Sequence, residues 1–123
     1  MPVTTMVEVV FPQHLNHQGN LFGGHALRMM DTAAFVAATR VARRTMVTVG
    51  VEDVDFEAPV RHGEIVEITA TVEKVGRSSV SVEVAMTAEA LLSGERRRCG
   101  RGRFVLAAID EGGRSVAITE GGT

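Results

Sequence analysis

The chain has 123 residues, 45% hydrophobic and 23% charged, with a formal net charge of -2. That length supports one core and not two ordinary domains, so residues 1–123 are expected to form a single domain. So even a charge balance argues against a general nucleic-acid or membrane-surface binder, and no stretch approaches the roughly 18 apolar residues of a membrane helix. A cytoplasmic protein without membrane insertion is the expectation, because the first residues lack the basic head and long apolar run of a secretory signal.

Residues 6–11 read as a short first strand that ends at Pro12. Residues 13–23 are rich in Asn, Gly and His and suit an irregular loop entering a helix at Gly23 and Gly24. From residue 24 to residue 43 apolar positions recur at helical spacing, stacking Leu27, Ala34, Phe35, Ala38, Val41 and Ala42 on one side. Asp31 falls among them. A carboxylate in such a stripe must be paired, protonated or held for use, since an unpaired buried charge costs on the order of several kcal/mol. An ion pair with Arg28 at i, i+3 is the plain alternative.

Beyond the helix the pattern changes to period two. Residues 45–56 alternate around Val47, Val49 and Val51, and Pro59 with His62 and Gly63 marks a turn. Residues 64–75 form a half-buried strand with Val66, Ile68, Ala70 and Val72 on one face. Gly76 and Arg77 turn the chain into a strand over 78–91, Gly94 marks another turn, and 97–109 supply the last strand. Cys99, the one cysteine, permits no intrachain disulfide and reads as a small buried hydrophobe. A polar tail over about 114–123 is expected to fray. Five strands and one helix predict an α+β fold, an antiparallel sheet with the helix on one face. The apolar surface and sheet edge left over call for a second copy, so a homodimer is the expected minimum unit.

The run Gly19-Asn20-Leu21-Phe22-Gly23-Gly24, then Met30-Asp31, Val47-Thr48-Val49, Asp55-Phe56, Pro59-Val60, Gly63-Glu64 and Val75-Gly76-Arg77-Ser78-Ser79, resembles the hotdog-fold acyl-CoA thioesterases. The resemblance spans nearly the whole chain in order. It implies a long helix wrapped by a curved five-stranded antiparallel sheet, assembly as dimers or as tetramers or hexamers of dimers, and hydrolysis of acyl-CoA to free acid and CoA. It also implies that Asp31 is the catalytic carboxylate and that Asn20 belongs to the active site. His25, Asp55 and the arginine-rich last strand depart from the family pattern and bear on specificity and packing.

Thioester hydrolysis needs an activator for attack and donors for the developing oxyanion. Asp31 can attack to form an anhydride or deprotonate a water, and the sequence leaves both open. Gly23 and Gly24 offer free N–H groups at a helix start, or else merely permit a tight turn and close packing. Eight residues of helix put Gly23 about 12 Å from Asp31, too far for one carbonyl to meet both. The inference is a site shared between subunits, Asp31 of one facing the Gly23–Gly24 start of the other. Asn20 orients the water or thioester there, or caps the loop.

Arg77, Ser78 and Ser79 can hold the phosphates of CoA, or form an ordinary hairpin turn. The arginines at 96, 97, 98, 101 and 103 read mainly as a solvated strand face. His14, His17, His25 and His62 have no carboxylate or cysteine at ligand spacing, so neither metal nor cofactor is expected, CoA entering only as part of the substrate. Two competing functions remain: a hotdog dehydratase or hydratase using His17 or His25 for proton transfer, and a non-catalytic acyl-CoA sensor.

Overall fold

The computed structural model describes residues 2–118. Strand β1 (Val3–Val9) precedes a short 3-10 turn at Pro12–His14, helix α1 (Gly23–Ala42), and strands β2 (Thr45–Phe56), β3 (Ile65–Val75), β4 (Ser79–Glu89) and β5 (Arg96–Ile109). All pairings are antiparallel, in the order β1-β3-β4-β5-β2. The hairpins β3-β4 and β4-β5 make the centre of the sheet, while β1 and β2, either side of the helix in sequence, lie at opposite edges. Helix α1 touches all five strands, so the sheet wraps it.

Period two explains the floor of the core. Val66, Ile68, Ala70 and Val72 are all 0% exposed, and Val80, Val82, Val84, Phe104 and Leu106 continue the buried face on β4 and β5. The helix meets this floor with Ala26, Met29, Met30, Ala33, Ala34, Ala37, Ala38 and Ala42. This corrects the expected stripe. Ala34, Ala38 and Ala42 are buried, but Leu27 and Val41 are half-buried and Phe35 is 45% exposed. Asp31 therefore sits at the border of the apolar face. Small alanines let the helix lie close on the sheet, and close approach, rather than side-chain hydrophobicity, decides which arc faces inward.

Three further expectations change. The first strand begins and ends earlier than residues 6–11, because Val3 to Val9 pair with Thr71 to Ile65, and Phe11 is exposed beside the 3-10 turn. Residues 114–118 of the expected tail fold back: Val116 donates to Ala108 O at 3.0 Å, Ile118 donates to Arg77 O at 2.8 Å, and Ile118 is buried. Residues 119–123 of that tail lie outside the described residues. Strand β2 is an edge strand whose alternation is broken by register shifts at Thr48/Gly50 and Glu52/Asp55. Val47, Val49 and Val51 are exposed.

Candidate active site

The helix start is built by its preceding loop. Asn16 Oδ1 accepts the N–H of Gln18 at 2.9 Å and of Asn20 at 3.2 Å, while Asn16 N–H donates to Asn20 O at 2.7 Å. Phe22 N–H donates to His14 O at 2.8 Å, and Leu21 N–H to Val60 O at 2.7 Å. Phe22 is the N-cap residue and gives no side-chain cap; the first helical bonds run from His25 and Ala26 to its carbonyl. Among the described residues the N–H groups of Gly23 and Gly24 have no acceptor. Neither glycine has positive φ. What Gly24 permits is close approach: a Cβ there would lie 2.9 Å from the Phe22 ring.

Asn20 and Gly23 share a cavity of about 330 Å³ whose other walls include Asn16, Phe56, Pro59, Val60 and Cys99. Asp31 opens elsewhere, into a groove of about 350 Å³ between the helix and edge strand β2, lined by Gly24, Leu27, Arg28, Thr48, Val51 and Phe104. The structure thus brings Asn20 to Gly23 and Asp31 to Gly24, on two sides of one helix start. Thr48 Oγ1 donates to Asp31 Oδ1 at 2.6 Å. No cation lies within ion-pairing distance of Asp31 among the described residues, so the Arg28–Asp31 pair is absent. The sequence reading assigned Thr48 no role. Its signal was a lone hydroxyl between Val47 and Val49, on the face of β2 that looks toward the helix.

Arg77, Ser78 and Ser79 occupy the β3–β4 turn and line neither cavity. The turn is closed by Gly76 N–H to Ser79 O at 2.8 Å, while the Ser78 and Arg77 carbonyls accept from Ala108 and Ile118, leaving the Arg77 side chain exposed. His25 stacks on His14, ring centroids 3.9 Å apart and planes within 8°. Its Nε2 is buried without a partner, and burial followed by repulsion from His14 lowers its pKa below the ordinary histidine value. Cys99 is buried and its thiol is pushed up to about 11 by desolvation, so it stays protonated and weakly nucleophilic at neutral pH. Among the described residues no three His, Cys, Asp or Glu side chains converge as a metal site.

The arginines of β5 are not simply solvated. Arg96 pairs with Glu67 and Glu89, Arg98 with Glu57, Arg101 with Asp55, and Arg103 with Asp53 and Glu73. Arg97 alone reaches a buried acid, Glu64, with Nη1 2.8 Å from Oε2 and Nη2 2.6 Å from Oε1. Neither partner was singled out from sequence for this contact.

The family model of the thioesterase superfamily matches residues 18–94. An uncharacterized acyl-CoA thioester hydrolase of Bacillus subtilis is 34% identical over 109 residues, covering 89% of this chain and 63% of that protein. The crystal structure of an acyl-CoA hydrolase from Agrobacterium tumefaciens is 44% identical with a TM-score of 0.87, covering 94% of this chain and 45% of that one. A hexameric broad-specificity acyl-coenzyme A thioesterase, solved as an aspartate-to-alanine variant, is 31% identical with a TM-score of 0.88 over 92% of this chain and 84% of that one. An acyl-CoA hydrolase from Staphylococcus aureus, solved with butyryl coenzyme A, is 27% identical with a TM-score of 0.87, covering 94% of this chain and 71% of that one. It was also solved as an aspartate and as a threonine variant, the two positions 17 apart. The chain spans under two thirds of the Bacillus protein and about half of the Agrobacterium chain. With one long helix wrapped by a five-stranded antiparallel sheet and a matching family model, the chain belongs to the hotdog-fold thioesterase superfamily.

Proposed function

We propose that this protein hydrolyses acyl-CoA thioesters to free acid and CoA, with Asp31 as the activating carboxylate. The observation that carries the reading is the Asp31–Thr48 hydrogen bond. It holds one carboxylate oxygen at 2.6 Å in the wall of a groove where Arg28 lies nearby without pairing with the acid. The same 17-residue spacing separates Asp31 from Thr48 and the two altered positions of the Staphylococcus enzyme.

In the reaction, the oxygen of water ends on the acyl carbon, the C–S bond breaks, and the departing thiolate takes a proton. Asp31 accepts the water proton as general base, or attacks first and is regenerated when water opens the anhydride. The free N–H groups of Gly23 and Gly24 fit the oxyanion that forms on either route. Asn20 orients the carbonyl or water, and no cofactor takes part.

We further propose a site shared across a dimer. The β2 edge strand carries exposed Val47, Val49 and Val51, and helix α1 exposes Phe35, apolar surface suited to a second copy. Such a dimer would bring the Asp31 groove of one subunit against the Asn20–Gly23 cavity of the other. Arg77 with Ser78 and Ser79 would then serve the CoA phosphates outside both cavities, and assembly of such dimers into a larger oligomer would agree with the hexameric state of one relative.

The test is thiol release from a panel of short- to long-chain acyl-CoAs, run beside equilibrium binding of the same ligands. Turnover that disappears in Asp31→Asn while binding persists supports the reading. Binding without thiol release from the parent protein overturns it in favour of a sensor.

A further inference from the structure

Outside the two cavities the structure holds one polar cluster unlike the rest of the sheet. Four arginines of β5 meet carboxylates in solvent, with side chains 40–49% exposed. Arg97 and Glu64 are 33% and 11% exposed, and both are tied to main chain as well as to each other. Arg97 Nη2 donates to Pro59 O at 2.6 Å, and Glu64 Oε1 accepts Arg61 N–H at 2.7 Å. The guanidinium fork and the carboxylate therefore brace both ends of residues 59–61.

That segment is a wall of the candidate site. Pro59 and Val60 line the cavity of Asn20, Val60 O accepts Leu21 N–H, and Arg61 forms an isolated antiparallel bridge with Asn20. Cys99 O, two residues along β5 from Arg97, accepts Glu57 N–H at 2.8 Å and fixes the near end of the same wall. A chain of direct contacts runs from Arg97 to Glu64 to Arg61 to Asn20.

We infer that Arg97 and Glu64 are a positioning pair for the reaction: they set the 59–61 segment, and through it the place of Asn20 in the cavity. The inference rests on the reading of Asn20 as an active-site group. A half-buried ion pair is weak as a source of net stability but well suited to fixing one conformation, since removing either partner strands the other. The lowered pKa of Glu64, caused first by the Arg97 hydrogen bonds, agrees with a permanently charged pair at neutral pH.

The test is a double-mutant cycle between Arg97 and Asn20, read as kcat and KM per folded protein. Arg97→Met should lower kcat about ten-fold with KM within about three-fold, and should lower it less than about two-fold further in an Asn20→Ala background. A merely structural arginine would cost the same factor in both backgrounds, and that outcome overturns the inference. Arg97→Lys keeps the charge but cannot span both Glu64 oxygens and the Pro59 carbonyl, so it should fold like the parent yet still lose kcat. Parental kcat in Arg97→Lys overturns the inference even if Arg97→Met fails to fold. Asn20→Ala alone reports on the site itself: parental turnover there rejects Asn20, and the positioning inference falls with it.

Discussion

The outer face of β5 and the flank between α1 and β2 treat charge in opposite ways. On β5 each arginine from Arg96 to Arg103 has a carboxylate partner, so a strongly basic stretch is neutralised in place. Across the β2 edge, Asp31 sits half-buried in a groove with Leu27, Val51 and Phe104, hydrogen-bonded to the Thr48 hydroxyl and without an ion pair to Arg28, which lines the same groove. Six exposed ion pairs and one half-buried pair neutralise β5, and one acid without an ion pair lines the groove beside β2. An acid left without a cation costs stability, and its retention is a sign of use.

The contrast breaks most sharply at Asp31. Asp31→Asn should lower thioesterase kcat by about 10² to 10⁴-fold, because the amide keeps the Thr48 contact but neither attacks nor takes a proton. If the site is shared, co-expression with Gly23→Val should restore activity in mixed dimers, since Gly23 lines the Asn20 cavity and not the Asp31 groove and one site then carries neither lesion. A Cβ at Gly23 would lie 3.6 Å from the Phe56 ring, an ordinary contact. Inactive mixed dimers, shown to be folded and mixed, place Asp31 and the helix start of one subunit in the same site.

Thr48→Val should come next, lowering kcat about ten-fold while KM changes little, as expected for loss of one hydrogen bond to a charged group. Parental kcat would mean that packing alone aims Asp31. Arg77→Ala should raise KM for acyl-CoA about three- to ten-fold and leave kcat nearly unchanged, since phosphate anchoring is uniform binding. The effect should vanish with thioesters that lack the nucleotide, and an equal loss with those substrates would reject Arg77 as a phosphate ligand.

Acid should act on the helix start before it acts on β5. His25 has a lowered pKa, so its contribution is full above the ordinary histidine value and is lost as pH falls through the lower, folded value. Its charged neighbours are His14 on the loop, Glu8 on β1 and Arg28 on its own helix, of which only Glu8 favours the cation. Glu64, also lowered, loses its contribution only in the carboxylate range, as pH falls below its ordinary 4.5. Thermal melts should therefore show two acid steps. His25→Phe, which keeps the ring on His14, should remove the upper one; an unchanged upper step would assign it elsewhere. The smallest effect belongs to the exposed pairs: Arg101→Ala should change stability by less than about 1 kcal/mol in denaturant melts, and a larger loss would mean that the outer face is structurally coupled.

Much of this was legible along the chain because the signals are local. Period two places Val66 to Val72 on one face, glycines end strands, and the boundaries of β2 and the start of α1 follow from residues a few positions apart. Order of motifs identified Asp31, Asn20 and the glycine pair as candidates. Other features depend on distant residues meeting. The buried face of the helix is one of them, because burial follows how closely the sheet approaches, and six alanines allow that approach where Phe35 does not.

The sequence by itself determined the element list, the antiparallel sheet and the residues from which a hydrolytic site can be built, since propensity, turn chemistry and side-chain period act over one or two turns of chain. Tertiary structure decided that β2 closes on β5 at the far edge from β1, which brings Thr48 onto Asp31 across 17 residues. It decided as well that Arg97 finds Glu64 across 33 residues and braces the wall beside Asn20. Such contacts are chosen by packing of the whole sheet against the helix, and no local pattern encodes them.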